Sequence, residues 1–495
     1  MKIKKDVEWE NSIKKYKSRP VTYFEPENLE DIITIVKEAE EKKIKVRAVG
    51  SGHSFSDVAV PNDYLVDISK LTHVKKTDGL FLKVDKEGFH FVDAEAGITI
   101  HNLNIKLDEL GLALSNMGGI DHQTLAGVIS TGTHGTGKDL PAFPGLVRSL
   151  TFVASMGKVY RVEPTNGITD PAKFNDPLIQ LIQDDEIFYS VLVNFGTAGI
   201  IFSCTIDVWE LYYLRETKLP TNWTALKKKF LDGTIFTEGD EESAGKPPRG
   251  VSFLINPYEV KGDGHTCIVM RHYYTTKPIK WVLIEATRNI ISGILGNMPR
   301  VFFLTYLFFK WLPKRSPYLV RRSLRAMIDK KFVHRSHKVL FQGFEFVKER
   351  AYDAEFAFDL KNIQHIVNTI DKLIEKAQEF KNARNIYQSS PLGVRFVQRS
   401  KAYLTPEYEK EVAYLDTPFL LGLEGTEELL DAYQQVMLEN GGIPHWGKTN
   451  SVLDTNLDFI ENLYPKLKEW KKVIKKFNPL GTFNNTFTDR LKLTD

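Results

Sequence analysis

The sequence predicts an α+β or α/β chain of two domains, on three grounds. At 495 residues, 42% hydrophobic and 12% aromatic, it exceeds the roughly 250–300 residues at which a single core stops growing. A helix-spaced apolar pattern runs directly into a β-branched strand and a two-glycine turn near residue 50. Short strands and another amphipathic segment follow before a second glycine-rich block, so both periodicities recur within one domain.

Residues Pro26 to Lys43 carry apolar positions at helical spacing, with Asn28 as an N-cap three residues before Asp31. The strand Val46-Arg-Ala-Val49 then enters Gly50-Ser51-Gly52-His53-Ser54-Phe55-Ser56-Asp57. Gly50 and Gly52 allow the positive φ and close backbone approach with which successive N–H groups surround a pyrophosphate. Ser51, Ser54 and Ser56 add hydroxyl donors. A Rossmann turn needs a third glycine where Phe55 stands, which counts against nicotinamide, although Asp67 lies near the ribose-binding distance. Leu65 to Ser69, Phe81 to Asp85 and Phe91 to Ala96 read as strands, and Ile98 to Leu110 as a helix.

The block from Gly111 to Gly137 holds seven glycines among small hydroxyl and apolar residues. Too few side chains remain to fill a core, and the pattern suits a buried path along a large flat ligand, with Ser115, Ser130, Thr131 and Thr133 as hydrogen-bonding groups. Val193 to Ile201 carries a third glycine pair, Gly196 and Gly199, which says little by itself.

Net charge is only +3, which gives no case for nucleic acid. Cys204 and Cys267 are the only cysteines, too few for a disulfide framework and unaccompanied by metal-spaced ligands, so no metal is expected. The charged N-terminus lacks the apolar core of a signal peptide, which points to the cytoplasm. Between residues 290 and 338 an apolar, aromatic run, Val301 to Phe309, precedes a stretch from Lys310 to Lys338 with ten Lys or Arg against Asp329 alone. The run is too short to span a bilayer. It reads either as helices packed on a sheet with their basic side wet, or as a peripheral membrane contact.

Arg47-Ala-Val-Gly-Ser-Gly-His-Ser54 resembles the flavin-binding motif of the vanillyl-alcohol-oxidase superfamily, and within it the aldonolactone and alditol oxidase group. The resemblance extends to Ser130-Thr-Gly-Thr-His-Gly-Thr-Gly137, to the third glycine turn, to His445-Trp-Gly-Lys448 and to the closing Phe477-Asn-Pro-Leu-Gly-Thr-Phe483. It implies an FAD-binding domain of that superfamily's type over residues 1–208, a substrate domain with a large antiparallel sheet flanked by helices over 209–440, and a C-terminal segment, 441–495, that returns to the flavin. It further implies FAD contacts from Val49, Gly50, Ser51, Gly52, His53 and Ser54, from Ser115, Gly118, Gly119, Thr131, Gly132, Thr133, His134 and Gly135, and from Gly199, Ile200 and Lys448. In that family the histidine of the first turn is often bonded to the flavin, which makes His53 the expected attachment point. Small residues at 118 and 119 match positions beside the isoalloxazine and favour oxygen as acceptor.

The same resemblance implies oxidation of a sugar-derived alcohol or aldonolactone, with hydride passing to the flavin and oxygen giving hydrogen peroxide. Arg395 and Lys448 are the expected catalytic cations and His445 an alternative base. Desolvation of Lys448 would lower its pKa enough for it to serve as a base itself. One departure stands out: Gly393 occupies the place of the glutamate in the family's Glu-x-Arg strand. That opens a non-standard alcohol such as a nucleoside or glycosylated compound, or a flavin protein without catalysis; a dehydrogenase using another acceptor is a separate alternative.

Overall fold

The computed structural model describes residues 1–61, 63–83, 89–276, 306–342 and 351–494. Two larger sheets are built from residues before 208, beside a short hairpin of Trp9–Glu10 with Lys17–Ser18. The first orders Lys2–Lys4, Thr22–Glu25, Tyr64–Asp67 and Val46–Val49, the last three parallel. The second has six strands: Ile179–Gln183, Val159–Glu163, Val147–Val153, Ile200–Asp207, Phe91–Glu95 and Val74–Lys76. Helix Leu29–Glu41 joins two of the parallel strands. Asn28 caps it by accepting from the Asp31 N–H, and Leu29, Ile32, Ile35, Val36 and Ala39 form its buried stripe. The expected second helix is Ile100–Glu109, capped by Thr99.

Two local readings differ. The strand expected from Phe81 is instead a 3₁₀ turn, Gly79–Phe81, followed by an isolated bridge from Leu82 to Thr169; residues 84 and 85 lie outside the described residues. Leu82 gains its burial against Phe91 and Ile168 without a longer ladder. The second glycine block also contains a short helix, Leu125–Ser130.

A third, eight-stranded sheet dominates the rest: Asp329–Arg335, Tyr213–Asn222, Gly264–Thr275, Gly250–Val260, Leu392–Val397, Val412–Leu420, Ala351–Asp359 and Ile443–Pro444. Every pairing in it is antiparallel. Helices Ile363–Arg384 and Thr426–Glu439 pack on it and on each other through stripes such as Ile366, Ile370 and Leu373. The other side meets the second glycine block: Gly137 N–H donates to the Phe396 carbonyl (2.6 Å) and Thr136 Oγ1 to the Val251 carbonyl (2.6 Å).

The chain after residue 444 returns to the first sheet. Val46 N–H donates to the Thr482 carbonyl (2.8 Å), Asn485 Nδ2 to the Val60 carbonyl (3.1 Å), and Arg490 pairs with Asp57 (2.6 Å). No helix among the described residues is long and apolar enough to cross a membrane.

Candidate active site

The glycine segments and the His445–Lys448 loop converge on one place. Val49 ends its strand buried, and Gly50 follows so tightly against the second block that a Cβ there would lie 2.0 Å from Thr124 Oγ1. Gly52 turns the chain with φ +66°, and its carbonyl accepts from the Ser12 N–H (2.8 Å). Ser51 faces solvent, while the Ser54 carbonyl accepts from Asn11 Nδ2 (3.0 Å). Phe55 N–H donates to the Gly447 carbonyl (2.8 Å) and Ser56 Oγ to the Trp446 carbonyl (2.7 Å), fastening the first turn to the last loop.

His53 is half-buried and stacks on His122 with ring centroids 6.3 Å apart; His122 stacks in turn on His101, whose Nδ1 lies 2.8 Å from Asp121 Oδ2.

In the second block, Ser115 is buried and its carbonyl accepts from the Tyr212 hydroxyl (2.9 Å). Gly118 and Gly119 lie where the block meets Gln342, whose N–H donates to the Gly119 carbonyl (3.0 Å). A Cβ on Gly118 would come no nearer than 3.4 Å to His134 O, 3.5 Å to Thr133 Cγ2 and 3.9 Å to Ile120 O, so that position has room for a methyl group. Thr131, Gly132 and Thr133 form the turn after the short helix, with Thr131 Oγ1 donating to the Gly127 carbonyl (2.9 Å) and Thr133 N–H to that of Val128 (2.9 Å). Gly135 presses on Met117 O, which a Cβ would approach to 2.3 Å.

The third turn reaches the same place through Phe195, whose N–H donates to the Ser130 carbonyl (3.3 Å) and whose ring lies 4.9 Å from Trp446. Gly199 and Ile200 then lead into the strand Ile200–Asp207.

The eight-stranded sheet supplies a group of acids that the motifs did not reveal. His445 N–H donates to the Glu355 carbonyl (2.8 Å) and Thr449 N–H to the Asp353 carbonyl (2.9 Å), which lays the loop along the strand Ala351–Asp359. Lys448 Nζ therefore donates to Asp353 Oδ2 (2.7 Å), lies 3.6 Å from Glu355 Oε2, and sits over the Phe55 ring at 5.3 Å. Arg395 places its guanidinium 4.0 Å from Glu355 Oε1 and 3.8 Å from Asp416 Oδ2. Arg395 and Lys448 keep 26% and 22% of their side chains exposed, while Glu355 keeps 1%. Period-2 alternation in Asp353-Ala-Glu355 was the available sequence signal, because it puts both acids on one face. Asp416 carried none, lying inside the apolar strand Val412–Leu420.

The electrostatics correct one expectation. Burial alone would lower the Lys448 pKa, but Asp353 and then Glu355 outweigh it and hold the ammonium above the ordinary lysine value, so Lys448 remains a cation and not a base. His445 is pushed down to about 3, chiefly by burial, so its ring is neutral, and its Nδ1 accepts from the Gly447 N–H (3.1 Å). Burial would raise Glu355, yet Lys448, His134 and Arg395 keep it well below the carboxylate range. Asp416 goes the other way, raised well above that range by burial and then by Asp353.

His134 donates from Nδ1 to the Gly135 carbonyl (3.0 Å), stacks on Tyr414 at 3.8 Å, and lies 3.4 Å from Glu355 Oε1. His134, Glu355 and His445 offer ligand atoms within 4.8 Å of one another. Lys448 and Arg395 already face Glu355, and their charges oppose a divalent ion there.

Residues 20–163 match the family described as FAD binding domain, and residues 262–491 the family described as D-arabinono-1,4-lactone oxidase. The L-gulonolactone oxidase of Scyliorhinus torazame is 28% identical, with 98% of each chain covered. The L-gulono-1,4-lactone dehydrogenase of Mycobacterium tuberculosis is 23% identical over 98% of each. Among solved structures, cholesterol oxidase from Brevibacterium sterolicum superposes with a TM-score of 0.72 at 15% identity, covering 99% of this chain and 97% of the other, and so shares the fold. With its FAD-binding domain followed by a D-arabinono-1,4-lactone oxidase domain, the chain is a homologue of the gulonolactone oxidases and belongs to the FAD-dependent oxidoreductases that act on CH–OH donors.

Proposed function

We propose that the protein oxidises a CH–OH group of an aldonolactone, with FAD bonded to His53 and oxygen as acceptor. The observation that carries this reading is the meeting of three glycine turns with Lys448, Arg395 and three acids at a single site. The residues fit FAD: the cradle from Val49 to Ser54 suits a pyrophosphate, and the path from Ser115 to Gly135 leaves little side-chain bulk beside a flat ring. Bound FAD would supply the hydride acceptor and pass the electron pair on to oxygen.

The chain's own groups handle charge and protons. Lys448 and Arg395, both cationic, stabilise negative charge developing on the substrate oxygen or on the reduced ring. The hydroxyl proton goes to Asp353 Oδ1, a buried oxygen with no hydrogen-bond partner among the described residues. Trp446, fully buried and donating from Nε1 to the Leu404 carbonyl (2.7 Å), keeps the loop in place. We assign residues 1–208 to FAD, 209–440 to the substrate and 441–495 to closure over the flavin.

Oxygen as acceptor, with hydrogen peroxide as product, is supported by the free space at Gly118. The dehydrogenase named among the relatives favours a second reading in which another acceptor takes the electrons. Anaerobic bleaching of the flavin by L-gulono-1,4-lactone or D-arabinono-1,4-lactone tests the reaction, and oxygen consumption under turnover separates the two acceptors. Absence of bleaching by either lactone, or by a panel of alditols, nucleosides and glycosides, would leave a flavin protein without this catalysis. Peptide mass mapping across His53 tests the bond.

We place the protein in the cytoplasm, held peripherally at an anionic membrane. Residues 290–305 lie outside the described residues, but Trp311 is 68% exposed, and Phe308, Leu312 and Tyr318 are exposed beside Arg315 and Arg322. Phe309, Val320 and Leu324 anchor this segment to the sheet. Apolar rings beside guanidinium groups suit a headgroup boundary. Failure to co-sediment with phosphatidylserine liposomes at low salt would remove the attachment.

A further inference from the structure

The row of side chains on the site face of the large sheet runs Glu355, Asp416, Gly393, because Glu355 pairs with Asp416 and Asp416 with Gly393 across adjacent strands. Arg395, two residues beyond Gly393, points to the same face. A glycine in that row leaves Asp416 open toward the guanidinium: a Cβ built on Gly393 would come 3.3 Å from both Asp416 Oδ2 and its Cβ, while Arg395 Nη2 stands 3.8 Å from Oδ2. The other carboxyl oxygen, Asp416 Oδ1, is buried with no hydrogen-bond partner among the described residues, and the Asp416 side chain is only 10% exposed. An unmade hydrogen bond at a buried polar atom costs about 1–3 kcal/mol, a cost that a polar ligand removes on binding.

We propose that Asp416 and Arg395 form the subsite that binds the hydroxyl groups of a polyhydroxylated lactone, with Asp416 supplying from its own strand the carboxyl that position 393 lacks. This rests on the reading of the site as lactone-oxidising. Adjacent hydroxyls on a lactone ring each offer a donor and an acceptor. A protonated carboxyl answers both, giving its O–H to one hydroxyl oxygen and accepting from the next. Burial and the neighbouring Asp353 favour that protonated form. The charged groups facing Asp416 are Asp353 and Glu355 on one side, Arg395 on the other, and Lys448. Arg395 adds donors from a fixed plane, so the pair selects ligands with neighbouring hydroxyls over a lone alcohol.

The test compares wild type with Asp416→Ala and Asp416→Asn, all checked for equal flavin content by absorbance. KM and kcat are read from steady-state turnover of L-gulono-1,4-lactone and D-arabinono-1,4-lactone with an artificial electron acceptor across pH, and anaerobic flavin bleaching by the same lactones is recorded beside them. Asp416→Ala is expected to raise KM about 10- to 100-fold with a smaller fall in kcat. Asp416→Asn, which keeps a donor and an acceptor, restores most of the affinity at neutral pH. It also loses the rise in KM that wild type shows as alkaline pH deprotonates Asp416. A wild-type KM in Asp416→Ala, or an alkaline rise that persists in Asp416→Asn, overturns the subsite. If neither lactone bleaches the wild-type flavin, the lactone reading fails and the subsite with it; bleaching with an unchanged KM in Asp416→Ala sinks the subsite alone.

Discussion

Replacing Lys448 by methionine removes one positive charge from the site at nearly constant length. The ammonium is 2.7 Å from Asp353 Oδ2 and 3.6 Å from Glu355 Oε2. Without it the two acids retain Arg395, no nearer to Glu355 than 4.0 Å. Breaking a buried ion pair costs about 3–5 kcal/mol, and the 22% exposure of Lys448 puts this case at the lower end, about 3 kcal/mol. The pH dependence follows from two opposite displacements. Glu355 is held below its ordinary 4.5, so it stabilises the fold above that value, and the contribution disappears as pH falls through its lower folded pKa. Lys448 is held above 10.5, so its contribution is complete below that value and lost as pH rises through its higher folded pKa. The gap in melting temperature between wild type and Lys448→Met should therefore be widest between about 4.5 and 10.5 and close toward either extreme. Catalytically, loss of a preorganised cation should slow flavin reduction about 10²- to 10³-fold. Stopped-flow absorbance under anaerobic conditions measures that rate, with flavin content checked beforehand. Wild-type kcat/KM in a flavin-loaded Lys448→Met protein would remove lysine from the mechanism, and a stability gap unchanged across pH would refute the charge argument.

Gly118→Ala should leave flavin reduction intact, since its methyl group fits, yet slow reoxidation by oxygen tenfold or more, a barrier of about 1.4 kcal/mol; equal reoxidation rates in rapid mixing would show that oxygen does not pass this position. Gly50→Ala cannot be accommodated without moving Thr124, and overpacking of this kind costs about 1–3 kcal/mol, so purified protein should melt earlier and carry less FAD. In acid, His337 and His445 both lie near 3 instead of 6.5, mainly through burial. Each therefore takes up a proton more readily when unfolded, and stability should fall as pH drops below about 6.5. His337→Gln should flatten part of that slope in a melting series from pH 7 to 4, and an unchanged slope would dismiss His337 as a contributor.

Much of the cofactor side was legible in the chain because its determinants are local. Gly50 and Gly52, the N-cap Asn28 and the loop His445 to Lys448 act over a few residues, where backbone freedom and capping leave a mark at fixed spacing. The substrate side was not, since its geometry depends on pairing between strands far apart in sequence. Asp353, Glu355, Gly393 and Asp416 come together only through the register of three antiparallel strands. A one-residue slip would have turned each acid away from the site. The same distance effect reversed the expected behaviour of Lys448. Its burial could be anticipated from the loop around it, but the carboxylates of Asp353 and Glu355 that outweigh burial are delivered by a distant strand, and Coulomb interactions depend on separation in space, not along the chain. The glycine turns and the cations Lys448 and Arg395 were thus readable from local pattern, whereas the charge state of Lys448 and the acids that stand against it follow from the pairing of distant strands.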